Sequence, residues 1–140
     1  MNRILDIDKT LKDILETSIQ KYSNNKAFSI INGESLTFQE VGNRIAKFTF
    51  LLNSYRIAAG EKIALFGGSM PNWPVAYLGV TSSSRVVLPL LPDFTAYEVA
   101  NILEHSGTEI MIVSKKLLYK LSEKLQERPK LIIELDSPPV

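Results

Sequence analysis

The chain has 140 residues, a single-domain length that can bury roughly two thirds of its unfolded surface, and at 45% hydrophobic and 22% charged it lies far from compositions that stay disordered. Sixteen Lys and Arg against fifteen Asp and Glu leave a net charge of +1, too balanced for a nucleic-acid binder driven by phosphate neutralisation. The absence of cysteine excludes a disulfide framework, a thiolate zinc site and a thiol nucleophile, and suits a reducing cytoplasm.

The first apolar stretch, in MNRILDIDKTLKD, carries Asp6 and Asp8, and no later apolar run approaches the ~18 residues of a membrane-spanning helix. Leu11, Ile14, Leu15, Ile19 and Tyr22 then recur at helical spacing behind Thr10. The Thr10 hydroxyl can cap a free backbone N–H while Asp13 faces the positive helix end, which predicts a helix over about Leu11–Tyr22. In AFSIINGESLTF two short β-prone runs flank Asn32-Gly33, the dipeptide that best tolerates the positive φ angles of a two-residue turn, and a hairpin is expected. Thr37-Phe38-Gln39-Glu40 reads as a capping box with Leu36 and Val41 as a hydrophobic staple, opening a second helix that runs to about Asn53. Its apolar stripe is Val41, Ile45, Phe48 and Leu52, with Asn43, Arg44 and Lys47 off it, a pattern that signals packing on a core rather than a ligand. Residues 10–53 thus read as a helix-hairpin-helix entry.

From Glu61 the texture changes to alternating strand and helix: KIALF, NWPVAYLGV, RVVLPL, TAYEVANILEHSG, EIMIV, KKLLYKLSEKL and KLIIEL. Repeated β-α units over residues 61–135 predict an α/β fold, a mainly parallel sheet with flanking helices in a Rossmann-like layered arrangement, preceded by the N-terminal helix and β-hairpin. Thr95-Ala96-Tyr97-Glu98 is a second capping box with Phe94 and Val99 as its staple, and Ser106-Gly107 ends that helix where a left-handed residue is wanted. The strands suit burial on both faces.

Few residues invite chemistry. The loop Gly67-Gly68-Ser69-Met70-Pro71-Asn72 lies at the carboxyl end of a strand and before a helix, where α/β proteins bind anions. It has neither phosphate-loop spacing nor a basic residue, and a tight turn with Asn72 capping the helix is the expectation. Thr81-Ser82-Ser83-Ser84-Arg85 is rich in hydroxyls but lacks glycine and sits at the opposite sheet end, so it reads as a polar helix-to-strand connection. His105 is the single histidine, which rules out a histidine triad or multi-histidine metal site here and leaves a structural place near a helix end. Asp6 with Asp8, or Asp93 with Glu98, could pair as acid and base, but nothing in the sequence desolvates them. Trp73 and Pro74 open a helix, where proline is tolerated and core packing suffices for the indole.

An ordered string of features over about Thr10–Leu125 resembles the N-terminal part of acyl-CoA synthetases of the adenylate-forming, AMP-binding family. Leu36-Thr37-Phe38 with Glu40-Val41 resembles the entry to that family's second helix, and Gly60-Glu61-Lys62-Ile63-Ala64 its first buried strand. Pro71-Asn72 with Trp73 resembles its P-N-x-x-[EW] turn, Val87-Leu88-Pro89-Leu90 the strand before its P-L-N-P turn, and Ile102–Gly107 a helix end that usually reads I-L-x-x-S-G. Two departures stand out: Ser82-Ser83-Ser84-Arg85 replaces a common K-A-G-A, so that helix end must be capped differently, and Leu91-Pro92-Asp93-Phe94 looks more like bacterial long-chain fatty-acid ligases.

The resemblance implies that residues 1–140 are a partial N-terminal (AMP-binding) domain of a larger fatty-acid–CoA ligase. Such an enzyme joins a carboxylate to ATP as an acyl-adenylate and passes the acyl group to coenzyme A. ATP, Mg²⁺ and coenzyme A are implied for that parent and none for this chain, because the family's Ser/Thr/Gly-rich loop ending in Lys, its Thr-Glu pair, ribose-binding Asp and C-terminal Lys have no counterparts up to Val140. No catalytic, cofactor-binding or metal residue is therefore carried over, and the chain alone is expected to be inactive. The implied partners are the remainder of the ligase and its fatty acid, with no nucleic acid, and uncovered sheet surface is expected to favour self-association of the fragment. The rival readings are a self-contained, flavodoxin-like module using the Gly67–Asn72 loop for an anionic ligand, and a protein-interaction domain without a ligand.

Overall fold

A strand that is apolar at successive positions has side chains on both faces of its sheet, and is stable only where each face is covered. The computed structural model describes residues 8–121 and 128–137. Along them run α1 (Leu11–Lys21), β1 (Lys26–Ser29), β2 (Ser35–Thr37), α2 (Phe38–Ser54), β3 (Lys62–Phe66), α3 (Asn72–Ser82), β4 (Val86–Leu90), α4 (Ala96–Ser106), β5 (Ile110–Val113), α5 (Lys115–Leu121) and β6 (Leu131–Glu134). The last strands form a four-stranded parallel sheet in the order β4-β3-β5-β6, and β1 and β2 form a separate antiparallel pair. The α/β expectation holds, and residues 122–125 of the predicted KKLLYKLSEKL helix lie outside the described residues. No helix among the described residues is long and apolar enough to cross a membrane.

The two central strands divide their side chains by alternation. Ile63 and Leu65 of β3 with Ile110 and Ile112 of β5 pack on Phe48 and Leu52 of α2 and Ala76 and Val80 of α3. Ala64 and Phe66 with Met111 and Val113 face the other way, onto Val99 and Leu103 of α4 and Leu121 of α5. From β3 the chain steps to β4 on one side, then crosses back to β5 on the other, and this reversal puts α3 and α4 on opposite faces, as a single handedness of crossover requires. Two-faced burial holds for β3 and β5 but not for the edges, where Val86 of β4 is 48% exposed and Ile132 of β6 41%. An edge strand lacks a neighbouring strand, and its flanking helix covers it only in part.

Local signals in the sequence are realised closely. Thr10, Thr37 and Thr95 each cap their helix by accepting from the N–H three residues on, and Asp13, Glu40 and Glu98 reach back to the N-cap N–H. Leu36 and Val41 share one cluster, Val99 packs with Phe94 in another, and Gly107 ends α4 at φ 68°. Gly79 lets α3 approach α2, since an added Cβ would lie 2.6 Å from Phe48 Cδ1.

Two local expectations are corrected. The hairpin turn is not a two-residue Asn32-Gly33 turn: the Gly33 N–H donates to Ile30 O at 3.0 Å and the Ile30 N–H to Glu34 O at 2.8 Å. Ile31 and Asn32 are therefore the central residues, and of the dipeptide only Asn32 takes a positive φ, 56°. Nor does Asn72 cap α3. Pro71 holds the cap position in helical conformation without a side-chain bond, and Asn72, one residue further in, turns its amide outward to other elements.

The three capping boxes make stability depend on acid. For Glu40 and Glu98 the N-cap backbone N–H, and then the threonine hydroxyl, hold the carboxyl below its ordinary pKa, while for Asp13 the Thr10 hydroxyl leads. A folded pKa below the unfolded one contributes stability that is full above the unfolded value of about 4 and lost as pH falls through the lowered folded value. We expect the urea midpoint to fall as pH is lowered from about 6 to 3, and to fall less steeply in a Glu40→Gln, Glu98→Gln double variant. Equal acid dependence in the two proteins would refute the assignment.

Candidate functional site

An open parallel sheet offers its ligand crevice where neighbouring connections leave in opposite directions, here at the carboxyl ends of β3 and β5. In this chain that crevice is closed. The Ser114 N–H donates to Phe66 O at 3.0 Å, and the Leu135 N–H to Val113 O at 2.9 Å. The Leu135 side chain then lies over Gly67, where an added Cβ would come within 2.4 Å of Leu135 Cδ2. Gly67 is needed for this close approach rather than for an unusual backbone angle.

The opening lies instead on the β4 side. A cleft of about 830 Å³ is walled by Ala27–Ile31 of the hairpin, floored by Gly67–Pro71 with Trp73 and Pro74, and closed by Pro89–Pro92 at the end of β4. Every side chain along it is apolar or small, and none carries a charge. Trp73 stacks on Tyr77 with ring centroids 5.4 Å apart. The rim is conspicuously apolar, with Ile31 92% and Leu91 63% exposed. Such a surface suits an apolar ligand, and no charged side chain lines it.

Beside the cleft runs a chain of polar contacts. Arg44, on the off-stripe face of α2, donates Nη1 to Asn72 Oδ1 at 2.7 Å and Nη2 to Glu34, and Asn72 Nδ2 donates to Leu135 O at 3.0 Å. The hairpin, α2, the start of α3 and the end of β6 are thus joined through one guanidinium.

Of the sequence candidates, Gly67–Pro71 of the loop and the Trp73-Pro74 pair are brought to the cleft, and the other described candidates are not. In the Thr81–Arg85 segment two of the hydroxyls turn back on their own helix, Thr81 Oγ1 donating to Tyr77 O at 2.9 Å and Ser83 Oγ to Gly79 O at 2.6 Å. Ser84 supplies the left-handed step at φ 61°. This is the different cap that the departure from K-A-G-A requires. Arg85 precedes β4 rather than belonging to it; it is buried, and its guanidinium donates to Ile57 O and to Asn53 Oδ1. His105 is exposed in the last turn of α4. Glu98 is committed to its capping box and Asp93 is exposed; Asp8 is exposed as well, while Asp6 lies outside the described residues. Among the described residues no group of three or more His, Asp or Glu could hold a metal ion. Sequence reasoning missed the cleft itself, the Arg44 contacts and the burial of Arg85; the signal available for the first was the apolar Ile30-Ile31 pair placed next to a turn.

Comparison with known proteins yields consistent matches. The family model described as AMP-binding enzyme matches residues 15–140. A long-chain-fatty-acid–CoA ligase of Escherichia coli O6:H1 is 25% identical over 116 residues, covering 82% of this chain and 20% of the relative, so the chain spans about a fifth of that relative's length. Among solved structures, a benzoate CoA ligase from Burkholderia xenovorans LB400 superposes with a TM-score of 0.79 at 22% identity, over 91% of this chain and 26% of the ligase. The N-terminal subdomain of NpsA from Klebsiella oxytoca superposes at 0.78 with 14% identity, over 91% of this chain and 31% of the subdomain. At these identities the structural matches establish the fold.

Trp73 is the only tryptophan and lines the cleft, so it reports occupancy directly. We expect anilinonaphthalene sulfonate to bind with energy transfer from Trp73. Gly68→Phe, at a position where an added Cβ meets nothing within 4 Å, should weaken binding roughly ten-fold, about 1.4 kcal/mol, without lowering the thermal midpoint. Unchanged affinity in that variant would place the dye elsewhere.

Proposed function

Since the chain belongs to the AMP-binding enzyme family, we propose that it is the opening part of an ATP-dependent, AMP-forming ligase that joins a fatty acid to coenzyme A. The match of the family model over residues 15–140 carries this reading, and the ligase relatives support it. The fatty-acid assignment draws on the long-chain ligase relative and on the uncharged cleft. The chemistry belongs to later parts of the ligase, and this chain supplies a scaffold and an apolar wall. A cytoplasmic setting accords with the lack of cysteine.

The division of labour is tested on the chain alone. Calorimetric titration with Mg·ATP should show no tight site; micromolar binding together with fatty-acid-dependent pyrophosphate release would overturn it. For the longer ligase, pyrophosphate release should be faster with a long-chain fatty acid than with acetate or benzoate, and the reverse order would remove the fatty-acid assignment while leaving the family intact.

We also propose that the isolated chain self-associates. The exposed Val86 on the β4 edge, Leu91 and Ile31 form apolar surface of the kind that pairs in water. Light scattering across a concentration series should show mass rising above the 15.7 kDa monomer. A mass fixed at the monomer would favour a self-contained module instead.

A further inference from the structure

The wall of the cleft is attached differently from its floor. The β1–β2 pair makes no ladder with the four-stranded sheet. Its base is fastened: the Phe38 N–H donates to Asn25 O and the Gln39 N–H to Ser23 O, each at 3.0 Å, and Leu36 is buried with Val41, Ile45 and Val75, against which Ala27 and Phe28 also pack, while residues 29–35 are exposed. Beyond the base the register shifts between Lys26 and Phe28, so Ala27 is an extra residue on β1, a bulge at which an antiparallel pair bends. Past the bulge, the only side-chain hydrogen bond from the hairpin to the body among the described residues is that of Glu34 with Arg44.

The two halves of this contact are unequal. Arg44 is also held by Asn72, itself tied to Leu135 O, and its side chain is 23% exposed against 44% for Glu34. The guanidinium is a fixed catch whose rotamer is set before Glu34 arrives, and little further entropy is lost on closing. The carboxylate is the moving part, on a hairpin whose tip residue Ile31 is 92% exposed and thus unanchored by packing.

We infer that the tip of the β1–β2 hairpin, residues 29–35, is a hinged wall of the apolar cleft, bending beyond the Ala27 bulge and latched by Glu34 to the Arg44–Asn72 catch, so that release of this ion pair widens the cleft. Arg44 and Asn72 are positioning residues in this device. A partly exposed ion pair gives a weak latch, one that salt loosens and a ligand can displace. The inference rests on the cleft geometry and stands apart from the ligase assignment.

Glu34→Gln removes the charge at an exposed site and leaves the buried cluster intact. In hydrogen exchange on the whole chain, amides of residues 29–35 should exchange about two- to five-fold faster in this variant, the range a partly exposed ion pair can supply. Amides of β3 and β5 should keep their rates. Association of anilinonaphthalene sulfonate, followed through Trp73, should accelerate in parallel. Salt at about 1 M, where screening acts within about 3 Å, should reproduce the effect in the original protein and add little in the variant. Hairpin exchange unchanged by both the variant and salt would overturn the latch. So would equal acceleration in β3 and β5, which would mean general loss of stability, or faster exchange without faster dye entry, which would mean that the hairpin moves without gating the cleft.

Discussion

Everything in this molecule is arranged around the pairing of β3 with β5, because both strands are apolar at nearly every position and water must be excluded from both of their faces. Ile63 to Phe66 and Ile110 to Val113 are all buried, which demands a helical layer on each side and a partner strand on each flank. The reversal from β4 to β5 satisfies the first demand, placing α2 and α3 below and α4 and α5 above. The edge strands satisfy the second and are themselves left half-covered. The cleft lies beside the end of one of these edges, where β4 runs out into Pro89–Pro92 and a separately attached hairpin stands opposite.

What could be read in the sequence is what depends on neighbours in the chain. A capping box needs four residues, a staple six, and an amphipathic stripe two turns, so the starts of α1, α2 and α4 and the buried face of α2 follow directly from residue order. The order and parallel sense of the strands follow from the β-α rhythm. The hairpin was legible but its turn was not: Asn32-Gly33 suits a two-residue turn, yet the backbone bonds centre it one residue earlier, with Ile31 pushed into solvent. That choice reflects the pairing of Ile30 with Glu34, which puts Glu34 within reach of Arg44, a contact across sequence that no local rule contains.

The polar residues show the same division. Arg44 sits off the apolar stripe of α2 and so reads as a solvated face, and Arg85 reads as the first residue of a strand. In the fold both guanidinium groups serve as long-range connectors, Arg44 to Asn72 and Glu34, and Arg85 to the Ile57 carbonyl and Asn53. Five donors in a rigid fork allow arginine to satisfy several acceptors at once in a tight space, which a lysine could not do. Asn72 likewise looks like a helix cap because asparagine commonly is one, and here it is drawn away by two partners that lie far along the chain. The cleft could not be foreseen for the same reason: its three walls come from three separate stretches, and its emptiness of charge is a property of their assembly.

The seating of Leu135 over Gly67 imposes an order on synthesis. A ribosome delivers β3 and its glycine first, and the side chain that stoppers the notch beside that glycine follows 68 residues later, from Gly67 to Leu135. Until then the nascent polypeptide carries a greasy, unstoppered notch and, along β5, a naked strand edge, the kind of surface that chaperones and neighbouring nascent chains bind. Docking of Leu135 is therefore the step that closes this notch.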